Sequence, residues 1–167
     1  GRVETEIATI GHLTGADGTV DVGDGNALAN WDVAGSLYVG GSASAAGGVG
    51  QLNINSQGTV TVGGDIKIWE DGEIVLNGGI LNAVSGLALD VGNQLQGTGT
   101  VNGIVSQALG STIIASGTLT VGDSSSVAGF SSDGEMQINN FAVTLNDADQ
   151  AVLGPLTTIG SGGADGV

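Results

Sequence analysis

Cysteine is absent from this 167-residue chain, proline occurs once, and lysine and arginine together number two. Aromatic residues make up only 3%. Each shortage closes a class of explanation. Without cysteine there is neither a disulfide framework nor a thiolate metal centre. A single histidine, His12, excludes multi-histidine zinc and iron sites. Arg2 and Lys67 stand against 17 acidic residues, for a formal net charge of −15. Two cations cannot make a phosphate-binding surface, so no nucleic-acid partner is expected. No apolar run reaches the ~18 residues that a membrane helix needs, so no transmembrane segment is expected either.

Glycine is what the chain has in excess. It supplies 33 residues, about a fifth of the chain against a usual ~7%. Disorder does not follow, because Val, Ile and Leu number 18, 12 and 14 and only 11% of residues are charged. That is enough apolar surface for a core. Collagen is excluded because glycine has no three-residue period and proline is single. Helical bundles are excluded because glycine and β-branched residues crowd every window and break any 3.6-residue apolar stripe. An all-β chain with many tight turns remains.

A hexapeptide recurs: glycine, a small hydroxyl residue, an aliphatic, any residue, valine, glycine. It appears as Gly18–Gly23, Gly35–Gly40, Gly58–Gly63 and Gly117–Gly122, with looser copies from Gly72, Gly99 and Gly134. The starts define a loose period near 20 residues with insertions. Inside each copy the aliphatics sit two apart, which is strand alternation. Val20 and Val22 face one way, Thr19 and Asp21 the other. Leu37/Val39 oppose Ser36/Tyr38, and Val60/Val62 oppose Thr59/Thr61. Further alternating runs are Gln51–Asn55, Asp65–Trp69, Gly79–Ala83, Leu87–Val91, Thr112–Ala115 and Phe141–Leu145. Glycine at the ends of the hexapeptides permits positive φ and sharp turns.

A unit of about 20 residues cannot bury its apolar face alone, but stacked copies can. The expected fold is therefore a parallel β-helix, a β-solenoid of irregular coils, with right-handed connections. About eight coils at ~4.8 Å spacing give a rod roughly 40 Å long. An antiparallel β-sandwich is the competing architecture, since it too has short strands and frequent turns. Residues 1–167 read as a single segment, and the Gly1-Arg2-Val3 start and Gly162–Val167 end suggest part of a longer repeat protein.

The stretches Trp31–Gly41, Gln51–Gly64 and Gly72–Ala83 resemble the autotransporter-type β-strand repeats of large exported bacterial proteins, including those with PEP-type C-terminal sorting signals. Gly122–Gly134 followed by Thr144–Gly160 is similar to a second block of the same proteins. The resemblance implies a bacterial β-helix displayed outside the cell or on its surface, and it implies no catalytic residues.

Candidate sites are few. Asp17, Asp21 and Asp24 sit among glycines, yet lack both the EF-hand order and the nonapeptide calcium repeat. Asp147 and Asp149 form a weaker pair. Calcium is the one cofactor left open, as a counterion for a self-repelling chain. Glu70, Asp71 and Glu73 would be the carboxylates of a polysaccharide-active enzyme, with Lys67 or Arg2 as the cation. They surround a glycine turn and read as solvated corner residues. His12 has no argued triad partner and reads as a surface or coil-end residue. Trp31, Tyr38 and Trp69 could stack on sugars, although packing is the favoured role, with Trp31 closing an inserted loop. Thr59/Thr61 and Thr118/Thr120 would suit an ice-binding face, but their counterparts Thr19/Asp21, Ser36/Tyr38 and Glu73/Val75 make it irregular. No residue is assigned as catalytic, cofactor-binding or metal-binding. The expected role is an extracellular stalk, filament or surface-layer element, not an enzyme, that self-associates through its coil ends. A glycan- or cell-surface-binding adhesin is the alternative.

Overall fold

The computed structural model describes residues 1–126, 129–138, 141–148, 151–153 and 158–160. Asp149 and the Gly162–Val167 end lie outside them. The chain is all-β, and its strands lie in two parallel sheets. In chain order they are β1 (Arg2–Thr5), β2 (Ala8–Ile10), β3 (Asp17–Val22), β4 (Ala29–Val33), β5 (Leu37–Val39), β6 (Val49–Asn55), β7 (Gly58–Val62), β8 (Ile66–Ile68) and β9 (Gly72–Ala83). There follow β10 (Leu87–Leu89), β11 (Gln94–Asn102), β12 (Val105–Gln107), β13 (Thr112–Asp123), β14 (Phe130–Ser132), β15 (Glu135–Gln137), β16 (Val143–Asp147), β17 (Val152–Leu153) and β18 (Thr158–Gly160). Every pairing between these strands is parallel. An antiparallel sandwich is thereby ruled out.

The pairings form three ladders, which the chain visits in a constant order. The first runs β1, β4, β7, the second halves of β9, β11 and β13, then β16. The second runs β2, β5, β8, β10, β12, β14, β17. The third runs β3, β6, the first halves of β9, β11 and β13, then β15 and β18. Each ladder has seven strands among the described residues, one rung fewer than eight repeats of 20 residues would make. Six steps at the usual strand spacing give about 29 Å.

The shortfall lies in the first rungs. Arg2 pairs with Asn30 and Asn30 with Thr59, steps of 28 and 29 residues. Thr59 then pairs with Ile80, Ile80 with Thr100 and Thr100 with Thr120, steps of 21, 20 and 20. The early rungs carry loops that the later ones lack. One is the segment of residues 42–45, closed by an isolated antiparallel bridge between Gly41 and Ala46.

Alternation sets what faces inward. Val3, Trp31, Val60, Leu81, Val101, Val121 and Leu145 align in register along the first ladder. Ala8, Leu37, Ile66, Leu87, Val105 and Phe130 align along the second. Val20, Leu52, Ile74, Leu95, Ile113 and Met136 align along the third. Most of these side chains are fully buried, and burying one aliphatic of this size is worth about 1.5–3 kcal/mol. Large rings fit this core at two places, Phe130 and Trp31.

The hexapeptide does not mark one position in the stack. The copy at Gly18 belongs to the third ladder, that at Gly35 to the second, and those at Gly58 and Gly117 to the first. Its two glycines also differ in purpose. Gly40 closes a copy with φ +78. Gly58 opens one without positive φ, and there a Cβ would collide with the Val22 carbonyl in the neighbouring chain segment.

One inward row changes character. Leu89 pairs with Gln107 and Gln107 with Ser132. Gln107 is 3% exposed. Its Nε2 donates to the Ser111 carbonyl at 3.1 Å and the Glu135 carbonyl at 2.9 Å, and its Oε1 accepts from Ser132 Oγ at 2.8 Å. This network ties the turn after β12 to the next rung. Gln107→Leu extends the aliphatic row but removes these three hydrogen bonds, so a loss of about 1–3 kcal/mol is expected in urea unfolding. Unchanged stability would show that the network contributes nothing.

Candidate functional site

A concavity lies on the outer face of the third ladder. It is a groove of about 610 Å³ lined by Asp17, Thr19, Gln51, Glu70, Asp71, Glu73 and Gln94, among others. Thr19, Gln51, Glu73 and Gln94 form its floor because they occupy successive outward positions of β3, β6, β9 and β11. Glu70 and Asp71 come from the turn into β9 and are exposed. Glu73 is held between two rungs: Gln51 Nε2 donates to its Oε2 at 2.8 Å, and Gln96 Nε2 donates to its Oε1.

The sequence cluster of Asp17, Asp21 and Asp24 is thus divided. Asp17 joins the groove. Asp21 accepts from Asn53 Nδ2 at 2.8 Å across the third ladder. Asp24 caps the following loop by accepting from the Asn26 and Ala27 backbone N–H groups at 2.9 and 3.2 Å. Those bonds, Asn26 first, hold the Asp24 carboxyl below the ordinary aspartate range. Asp123 is lowered in the same way by the Ser125 hydroxyl and then its N–H. Asp147 accepts from the Phe130 N–H at 3.1 Å. Among the described residues no three carboxylate, imidazole or thiol groups gather as metal ligands.

The cations stand apart from the groove acids. Lys67 lies on the outward side of β8, beside Tyr38 in register, with Nζ 3.7 Å from the Trp69 ring centroid. It does not line the groove. Arg2 is bound at 2.8 Å to Glu4 and at 2.7 Å to Asp32, and the Asp32 hydrogen bond, then the Glu4 charge, raises its pKa. Among the described residues neither cation forms a salt bridge with Glu70, Asp71 or Glu73.

The aromatic residues take unexpected places. Trp31 lies in the first ladder's inward row, 9% exposed, with Nε1 donating to Thr5 Oγ1 at 3.2 Å. It closes no loop. Trp69 does so instead, donating from Nε1 to the Ser42 carbonyl at 2.8 Å while Lys67 covers its ring. Tyr38 is half-buried. Because Trp31 is buried, the three rings do not form one exposed face. His12 is exposed in the turn after β2.

The first ladder's outer face carries hydroxyls and amides in two rows. One row is Asn30, Thr59, Ile80, Thr100, Thr120 and Thr144, and the other Asp32, Thr61, Asn82, Asn102, Gly122 and Asn146. Thr118 stands outside both rows, its carbonyl accepting from Thr98 Oγ1 at 2.9 Å. Asn102 Nδ2 donates to Asn82 Oδ1 at 2.9 Å, and Asn82 Nδ2 to Thr61 Oγ1 at 3.2 Å. The sequence pairs Thr59/Thr61 and Thr118/Thr120 missed Thr100, Thr144 and these asparagines, whose local sequences differ. Pairing each Val-x-Val run with the next one, rung by rung, would have found them. Ile80 and Gly122 interrupt the array.

Comparison with protein-family models, with curated proteins and with solved structures finds no match. No helix among the described residues is long and apolar enough to cross a membrane.

Proposed function

We propose that the three ladders are the faces of a right-handed parallel β-solenoid, and that this rod is a non-enzymatic structural element of an exported bacterial protein. The observation that carries the reading is the constant order in which the chain visits three in-register ladders. Stacked rungs of this kind give a stiff rod whose stability is a sum over neighbours. The repeat resemblance and the acidic coat support a place outside the cell, in a stalk, filament or surface layer.

The rod elongates end to end. Among the described residues β1, β2 and β3 each pair on one side only. Val3, Val20, Val22 and Trp31 line a mainly apolar hollow of about 480 Å³ beside β1 and β3. A further parallel rung, from a second copy or from more of the same chain, satisfies both the unpaired strand sides and the hollow, and where it comes from a second copy, repeated head-to-tail addition builds an open filament. Because each copy carries −15, elongation should strengthen with ionic strength as repulsion is screened.

Electron microscopy and sedimentation of the purified chain across a concentration and salt series provide the test. Rods that lengthen with both variables are expected. Val3→Lys places a charge at an edge position that is already 58% exposed, so it should stop elongation while the fold remains. Uniform short particles under all conditions would sink the filament reading.

A further inference from the structure

Two Asn-Gly pairs sit on β9 and β11, and their surroundings differ. Asn77 and Gly78 are both exposed. They lie where β9 turns from the third ladder to the first, and the register slips there: Asn55 faces both Asn77 and Gly78. On the opposite side Thr98 pairs with Asn77 and Thr100 with Ile80, so the single β11 residue Gly99 stands opposite both Gly78 and Gly79. A bulge of this type leaves the extra residue outside regular ladder pairing. A Cβ built at Gly78 would meet only ordinary contacts, the closest being a Ser56 side-chain carbon at 3.4 Å. The Asn77 side chain is held by one hydrogen bond, from its Nδ2 to Asn55 Oδ1 at 3.1 Å.

Asn102–Gly103 is closed by comparison. The Gly103 N–H donates to the Gly122 carbonyl at 3.3 Å, and a Cβ there would collide with the Ala83 carbonyl oxygen. Asn102 Nδ2 is bound to Asn82 Oδ1 at 2.9 Å.

We propose that Asn77 is a site of spontaneous deamidation, one the native fold leaves open while it protects Asn102. The Gly78 backbone nitrogen, on losing its proton, attacks Asn77 Cγ. A C–N bond forms, the side-chain amide nitrogen takes up a proton and leaves as ammonia, and a five-membered succinimide results. Water then opens either carbonyl, giving aspartate or isoaspartate. One water is consumed, one ammonia is released, and no oxidant or reductant takes part. Glycine is the favourable following residue because no side chain hinders its nitrogen. At Asn102 the same attack must move Gly103, which is wedged against the Ala83 carbonyl and whose N–H is bonded to the Gly122 carbonyl.

The modification has a structural consequence. A carboxylate at 77 cannot donate to Asn55, and it adds charge to an already acidic coat. Isoaspartate lengthens the backbone by one methylene between the part of β9 paired with β6 and the part paired with β7. The Ile80–Ala83 half then loses its register with Thr59–Val62. Ageing of the rod starts at this corner.

The test is a time course of the folded chain in mildly alkaline buffer, read by peptide mass spectrometry that separates aspartate from isoaspartate. A parallel sample is kept unfolded in urea. In the folded chain, conversion at Asn77 should exceed that at Asn102 by about tenfold, the rate ratio of a barrier difference near 1.4 kcal/mol. In the unfolded chain the two sites should convert at similar rates. Asn77→Gln should abolish product at 77 in both samples and leave the Asn102 rate unchanged. Equal rates in the folded chain, faster conversion at Asn102, or no conversion at Asn77 while the unfolded chain reacts would each overturn the proposal.

Discussion

Gly97→Ala loses about 3 kcal/mol or more of stability, beyond what an average substitution costs. Gly97 lies in β11 with φ +125, a backbone region that L side chains rarely adopt. Strain of that kind costs about 1–3 kcal/mol by itself. A second cost is added by contact. A Cβ at 97 would overlap the Leu76 carbonyl oxygen and lie 2.9 Å from the Leu76 nitrogen. Both are backbone atoms of β9, the next rung, so no side-chain rotation relieves the clash. The strands must part, and β11 is paired on both sides, with β9 and β13. Gly15→Ala is the control: Gly15 has φ +76 but nothing within 4 Å of a built Cβ. It should show only the backbone cost, about 1–2 kcal/mol. Urea midpoints of the two variants separate the terms. If both fall by the same amount, close approach between rungs is not what requires glycine at 97.

Leu95→Ala is expected to cost about 2–5 kcal/mol, the range for deleting a buried leucine side chain. Leu95 is fully buried and sits in register between Ile74 and Ile113. A thin core has few ways to collapse around the hole, because each inward row is fixed by backbone pairing above and below. The damage should spread to adjacent rungs, since each rung rests on its neighbours. Hydrogen exchange should therefore quicken in β9 and β13 as well as β11. Val91→Ala, at a position 73% exposed, should stay within about 0.5 kcal/mol. A Leu95 variant as mild as that one would contradict the assignment of these rows as the core.

Much of this core was legible in the residues. Alternation in Gly58–Val62 and Ile66–Ile68 is enough to put Val60, Val62, Ile66 and Ile68 inside and Thr59, Thr61 and Lys67 outside. Trp31 follows the same rule, being two residues before Val33, and its burial could have been read from that parity. Trp69 follows Ile68 directly and so falls on the opposite side, which leaves it free to hold the Ser42 loop. The polar groove was not legible. Its floor residues Thr19, Gln51, Glu73 and Gln94 are far apart in the chain and share no local motif. The Gln107 network was hidden for a similar reason. A glutamine at an inward position looks like a fault until the carbonyls of Ser111 and Glu135 are seen to converge on it.

By itself the sequence determined which side chains face inward and where the chain turns, because two-residue alternation and glycine act within a few bonds. Only the tertiary structure decided which strand stacks on which. The hexapeptides at Gly18, Gly35 and Gly58 are locally alike, yet they fall on three different ladders. Their partners are set by the length of the loops between them and by the steric fit of whole rungs, and neither is written in any single repeat.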